Sequence, residues 1–362
     1  MLDSLMIKNF RNLKDLKINS LGRVNLIIGK NNTGKTAVLE ALAIYATKGD
    51  FDNIFEQLEE RGENFKESIE NKNIIDENTR TFSTLFTNRN PGYDKENAIY
   101  IGKNEKIEFK GEIYPEGLVS IRFFIPEVVK INTENGDIID KAIDSSRIGL
   151  VVKFGKRSSL HSFNLERPYI IKYPPHEDKE ELQFIRTSNI ERKVNSQLWD
   201  KTVLTDKEEY VIQALKIIEP TTERIGYTIN EQKPIIKLSN ISDPLPLQSM
   251  GDGINRILTI ILALVNSENG YLLIDEFENG LHYSVQEKLW EIIFTLSEKL
   301  NVQVFATTHS NDCIEGFESV LNSSDKFDGK LIRLHNEKGV IKSVEFDEKK
   351  LKIVTDNDIE IR

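Results

Sequence analysis

Val24-Asn-Leu-Ile-Ile-Gly-Lys-Asn-Asn-Thr-Gly-Lys-Thr-Ala-Val-Leu-Glu-Ala-Leu42 is the stretch on which the reading of this chain turns. Val24 to Ile28 is a short β-rich apolar run of the kind that forms a buried strand. Gly29-x-x-x-x-Gly34-Lys35-Thr36 follows, and Ala37, Val38, Leu39, Ala41 and Leu42 then recur at helical spacing. Strand, glycine loop and helix is the context that a phosphate-binding loop requires. Gly29 and Gly34 free the backbone, so that N–H groups across Asn31, Asn32 and Thr33 can turn toward phosphate oxygens. The helix starting near Lys35 adds the positive end of its dipole. Lys35 is suited to neutralise the β- and γ-phosphates, and Thr36 to offer its hydroxyl to Mg²⁺. A glycine turn that happens to carry a lysine is the competing reading, and the flanking strand and helix decide against it. The expectation is a nucleoside-triphosphate binder.

Outward from that loop, 362 residues are enough for two or three lobes with a substantial core. Hydrophobic content of 39% and charged content of 29% describe an ordinary soluble globular protein. A net charge of −10 argues against a surface that coats nucleic acid broadly, while leaving room for a local basic groove. The single cysteine, Cys313, rules out an internal disulfide framework and fits a reducing cytosol. Met1–Phe10 lacks the apolar core of a signal peptide, and the near-continuous apolar run Ile257–Val265 is too short to cross a bilayer. A soluble, cytoplasmic protein with no membrane partner is expected.

Upstream of the loop, Leu5-Met-Ile-Lys and Leu16-Lys-Ile-Asn read as strands joined through Asn9-Phe10-Arg11-Asn12, which on composition is a solvated turn. Residues 49–95 are polar, with helical pieces at Phe51–Leu58 and Phe82–Phe86 and a turn at Asn88–Gly92. From Ala98 to Tyr173 the period becomes two, with strands expected at Lys106–Phe109, Leu118–Ile125, Ile148–Phe154 and Tyr169–Tyr173. Asn135-Gly136 suits a tight hairpin, and Lys153, Lys156 and Arg157 read as a solvated strand edge. Pro174-Pro175 and the acidic run Glu177–Glu181 mark a boundary. A helical region is expected next, with Val211, Ile212, Leu215 and Ile218 on one face of Asp206–Ile218. No heptad pattern persists, so no long coiled-coil arm is expected.

A second chemical centre lies at residues 245–310. Ser249, Gly251 and Gly253 precede a helix over Ile257–Val265 that is apolar nearly all round and hence buried. The arrangement leaves a hydroxyl, backbone N–H groups and a helix N-terminus for an anion, though a glycine turn with a serine cap explains it equally well. Tyr271-Leu-Leu-Ile-Asp-Glu-Phe-Glu278 is a buried strand that delivers two carboxylates at its C-terminal end. Asp275 is suited to hold Mg²⁺, and Glu276, pointing the other way, to polarise an attacking water. Val302–Thr308 is a further buried strand ending at His309, which can hydrogen-bond the γ-phosphate or the water. Lys330–His335 and Ile341–Phe346 close the chain as strands.

In this order the motifs resemble the ABC-type ATPase heads of the RecF, SMC and overcoming-lysogenisation-defect group, nearest to the AAA15- and AAA21-type ATPases. Gly29–Thr36 resembles Walker A, Ser249-Met-Gly-Asp-Gly253 a divergent signature motif and Leu272–Glu276 Walker B. Glu278-Asn-Gly-Leu-His282 resembles the D-loop and His309 the switch histidine. The resemblance implies two heads closing head-to-tail on two ATP molecules, with Ser249 and Gly251 reaching the γ-phosphate held by the other subunit. Arg11 matches a phosphate-contacting arginine of such heads, and Gln183 is a weak candidate for the Q-loop glutamine. The fold expected is an α/β P-loop core of ABC-ATPase type from residues 1–48 and 246–362. A β-rich lobe (49–173) and a helical lobe (174–245) are inserted in it.

The activity implied is Mg-dependent ATP hydrolysis in a homodimer or higher even oligomer. Three outputs stay open. The chain is a defence-type switch that senses phage or foreign DNA and controls a separately encoded nuclease or toxin, or a RecF/SMC-like repair head that loads on DNA, or a structural switch that barely turns over. Glu276 argues against the third. The stretch from Ser310 to Arg362 offers no acid cluster or core for a nuclease domain of its own, so the effector is expected on a separate chain.

Overall fold

A hairpin, β1 (Leu5–Phe10) and β2 (Leu13–Ile18), begins the chain in the computed structural model. That structure describes all residues except 64–73, 106–116, 125–128, 133–137, 142–147, 156, 164–169, 174–179, 188–191, 229–231, 252 and 347–362. The turn is tighter than its sequence suggests: Phe10 pairs with Leu13, leaving Arg11-Asn12 to reverse the chain, and Arg11 takes a left-handed φ of 52°.

β3 (Val24–Ile28) leads through the glycine loop into α1 (Lys35–Ala46), followed by α2 (Phe51–Glu60) and α3 (Ile74–Ser83). The helical piece expected at Phe82–Phe86 is instead the end of α3 and the turn after it, with Phe82 and Phe86 both buried. Among the described residues seven strands then follow. They are β4 (Ile99–Gly102), β5 (Leu118–Phe124), β6 (Val129–Asn132), β7 (Ile138–Lys141), β8 (Gly149–Phe154), β9 (Arg157–Ser162) and β10 (Ile170–Tyr173). The strand expected at Lys106–Phe109 and the turn expected at Asn135-Gly136 lie outside the described residues. β6 and β7 pair antiparallel.

Among the described residues the larger antiparallel sheet runs β10-β9-β8-β5-β4-β1-β2. The hairpin read as part of the ATPase core therefore continues the sheet of the following segment, with Ile7 opposite Ile101. Lys153 and Arg157 are not at a strand edge either, because β8 and β9 pair with each other and are flanked by β5 and β10; Lys156 is not described. Alternation reveals that a segment is a strand, but not which strands flank it.

Next come β11 (Leu182–Ile185), α4 (Arg192–Thr202), α5 (Lys207–Ile218), β12 (Thr222–Tyr227), β13 (Pro234–Leu238) and β14 (Leu245–Pro246). The helical expectation for 174–245 is corrected here: strands stand beside the two helices, and β12, β13 and β14 form a small sheet of their own. These strands are short and only partly buried, so neither length nor periodicity distinguishes them from loop.

α6 (Gly253–Val265), β15 (Tyr271–Ile274), α7 (Tyr283–Lys299), β16 (Gln303–Thr307), α8 (Asn311–Asn322), β17 (Gly329–Glu337) and β18 (Val340–Phe346) complete the chain. The core sheet has the order β11-β15-β16-β3-β17-β18, parallel except for β18 at its edge. Successive residues of its strands enter opposite cores. Leu26, Ile274, Val304 and Ala306 pack with α6 and α7, whereas Ile27, Leu273 and Phe305 pack with α1 and the antiparallel sheet. Burial on both faces explains why these strands read as unbroken apolar runs. Trp290 of α7 stacks on Phe277 at 4.1 Å and donates from Nε1 to the Cys313 carbonyl at 3.1 Å, fixing the segment after β15. Among the described residues no helix is long and apolar enough to cross a membrane.

Candidate functional site

β3, β15 and β16 run parallel, so their C-terminal ends deliver Gly29, Asp275 and Thr308 to the same side of the sheet. Gly29 has φ 151°, and a Cβ there would lie 2.4 Å from the Leu334 carbonyl oxygen, which excludes any other residue. Gly34 caps α1 in the left-handed region, and Thr33 folds inward, its hydroxyl donating to the Lys30 carbonyl at 2.8 Å. Lys35 is buried, with Nζ donating to the carbonyls of Gly29 at 2.8 Å and Lys30 at 3.2 Å. Burial lowers its pKa, and the charges of Asp275, Glu278 and Glu276 push it back up.

The Thr36 hydroxyl lies 3.0 Å from Asp275 Oδ2 and 3.2 Å from Oδ1. The Thr307 hydroxyl donates to Asp275 Oδ1 at 2.6 Å and accepts the Glu276 N–H at 2.9 Å. Strand alternation would point Glu276 away from Asp275. That expectation is corrected: β15 ends at Ile274, Glu276 takes a left-handed φ of 47°, and both acids line the same cavity. Glu278 braces the end of β16, accepting the Thr308 hydroxyl and the His309 N–H, each at 2.7 Å.

The cavity has a volume of about 640 Å³, within the range of small-ligand sites. Asn31, Asn32, Gly34, Lys35 and Thr36 line it together with Asp275, Glu276 and His309. Arg11 lines it too, from a buried side chain rather than a solvated turn. Its Nη1 donates to Glu63 at 2.7 Å and to the Thr84 carbonyl at 3.1 Å, and Nε lies 3.5 Å from the Glu40 carboxylate. Glu40 of α1, only 1% exposed, also accepts from Arg61 at 2.6 Å. Arg11 Nη2 has no hydrogen-bond partner among the described residues, a donor that an anion would satisfy.

Ser249 and Gly251 do not line this cavity. Ser249 is exposed and its hydroxyl donates to the Pro246 carbonyl at 2.7 Å; Gly251 has φ 108° and open space where a Cβ would be. Gln183 lies on β11 and lines a different cavity, with Asn195 and Thr259. Among the described residues no group of three or more His, Cys, Asp or Glu could enclose a metal. The Thr36–Asp275 pair is an oxygen donor set of the kind that suits Mg²⁺, which would take its remaining ligands from phosphate and water.

Sequence reasoning missed Thr307, the bracing role of Glu278 and above all Arg256. Arg256 is 3% exposed, and its Nη2 donates to the main-chain carbonyls of Asp275 at 3.0 Å and Glu276 at 3.3 Å. A signal existed: it is the only charged residue between Ile254 and Val265, and a cation in an all-buried helix must find partners.

Fold and loops together define a P-loop ATPase of the ABC-type head. The crystal structure of an SMC head bound to the C-winged helix domain of ScpA shares this fold at a TM-score of 0.50 and 14% identity, over 97% of this chain and 99% of that one. The chain belongs to the AAA ATPase domain family (AAA_15), which matches residues 1–192. The AAA domain family AAA_21, whose description refers to the AbiEii toxin and a Type IV TA system, matches residues 176–314. An "ATP/GTP phosphatase" of Helicobacter pylori is 26% identical over 342 residues, 90% of each chain. The DNA replication and repair protein RecF of Lactobacillus acidophilus is 51% identical over 45 residues, 12% of each chain. The protein is an ATP-hydrolysing enzyme.

Proposed function

We propose that the chain is an ATP-driven switch in which two copies close head-to-tail around two ATP molecules, and that a separately encoded effector reads the closed state. The observation that carries this reading is the separation of Ser249 and Gly251 from the cavity lined by Lys35 and Thr36. An exposed serine, an open glycine and the start of α6 make a phosphate-binding edge that meets a phosphate only when a second copy supplies it. In this reading the Asn31–Gly34 amides, Lys35 and Arg11 bind the phosphates, and Thr36 and Asp275 hold Mg²⁺. When bound, the ion would supply positive charge against the negative charge developing on the phosphates. Glu276 orients the water for in-line attack on the γ-phosphorus, and His309 presents its ring to the γ-phosphate.

In this reading the effector is of nuclease or toxin type, serves anti-phage defence and docks on segments 49–173 and 174–245; the AAA_21 description attaches its toxin wording to the matched domain itself and supports only a toxin–antitoxin setting. A second reading, a DNA-repair head, is favoured by the RecF match and disfavoured by the net charge of −10. Light scattering of the Glu276→Gln chain tests the switch. A monomer without nucleotide and a dimer with ATP and Mg²⁺ are expected, and a monomer under both conditions contradicts it. Purification from the native operon should bring a neighbouring gene product whose retention changes with ATP. Mg²⁺-dependent DNA cleavage by the chain alone would overturn the separate effector.

A further inference from the structure

We propose that Arg256 is a positioning residue for ATP hydrolysis, holding the Glu276 main chain in the conformation that turns its carboxylate into the cavity. The inference rests on the reading of Glu276 as the water-orienting group. Its starting point is an expensive choice: a guanidinium carries a large desolvation cost in a helix whose other residues from Ile257 to Val265 are all buried. A leucine or methionine would pack there without that cost. The hydrogen bonds of Arg256 go to main-chain carbonyls, of Asp275 at 3.0 Å, Glu276 at 3.3 Å and Arg186 at 3.3 Å.

Those bonds hold the peptides that strand geometry alone would misplace. In an extended continuation of β15, residues 275 and 276 would point to opposite faces, and only one acid would reach the cavity. Glu276 avoids this by a φ of 47°, which a residue with a side chain adopts only when its surroundings compel it. Two bonds supply the compulsion. Thr307 accepts the Glu276 N–H from the β16 side at 2.9 Å, and Arg256 donates to its carbonyl from the α6 side. Arg256 also holds the Asp275 carbonyl, but Asp275 keeps three bonds of its own: its N–H donates to the Ile185 carbonyl at 2.8 Å, and its carboxylate is tied to Thr36 and Thr307. Loss of the arginine should therefore spoil the water-orienting group and spare nucleotide binding.

The test compares kcat and KM for ATP in Arg256→Met, Arg256→Lys, Glu276→Gln and the Arg256→Met/Glu276→Gln double variant, with a thermal melt of each. Misplacing a catalytic group by about 1 Å costs on the order of a hundredfold. Arg256→Met is expected to lose kcat on that scale with KM within about threefold of wild type. Arg256→Lys, which keeps a cation able to reach one carbonyl, should recover part of the loss. The double variant should be no slower than Glu276→Gln, because both changes disable the same group. Wild-type kcat in Arg256→Met beside a slow Glu276→Gln overturns the inference alone. Losses that multiply in the double variant, or a KM that rises while kcat holds, overturn it as well. Wild-type turnover in Glu276→Gln removes the reading of Glu276 and the inference with it.

Discussion

Replacing Glu276 by glutamine is expected to slow ATP hydrolysis at least about a hundredfold while leaving ATP affinity near that of the unaltered chain. The substitution keeps the side-chain shape and leaves the main-chain bonds to Thr307 and Arg256 in place, so the local backbone should persist. What it removes is the carboxylate that we propose orients the attacking water. Asp275 cannot substitute, since its oxygens are already committed to Thr36 and Thr307. Phosphate release, followed with ATP in excess, reads the effect, and a near-unaltered rate would end the assignment.

Lys35→Ala should have the other large effect, on ATP binding and through it on turnover. Lys35 is buried, and its ammonium closes the loop across the carbonyls of Gly29 and Lys30. Alanine leaves both carbonyls without their donor and removes one of the cations that we propose bind the polyphosphate. A lost hydrogen bond to a charged group is worth about 1.5–3 kcal/mol, so affinity should fall roughly tenfold to more than a hundredfold. Titration with a fluorescent ATP analogue measures the change, with a thermal melt to confirm that the chain is folded. Unchanged affinity would mean that nucleotide binds elsewhere.

The loop and the strand–acid pair are legible in the sequence because each is local. Val24–Ile28, Gly29, Gly34 and Lys35 sit within a dozen residues, and the Thr36–Asp275 contact follows from two motifs that each specify their own half. Pairing over long distances in the chain is not legible in this way. Nothing in Leu5–Phe10 says that its neighbour is Ile99–Gly102, and nothing in Leu182–Ile185 says that it lies beside Tyr271–Ile274. The orientation of Glu276 is hidden for a different reason: it violates strand alternation, and the bonds that enforce the violation come from Thr307 and Arg256 on separate elements. Arg11 is half legible. Its turn is visible in the sequence, but its burial depends on Glu40 of α1 and on Glu63 and Thr84, which no local pattern brings together.

That two copies share each ATP is tested most directly by mixing two inactive chains. Lys35→Ala damages the site a chain holds, whereas Ser249→Arg damages the site it completes on its partner. Each alone should be inactive. A mixed dimer has one site with both defects and one with neither, so about half the activity of an unaltered dimer should return per mixed dimer if the sites act independently. A mixture as inactive as its components, or Ser249→Arg fully active by itself, would contradict the shared site.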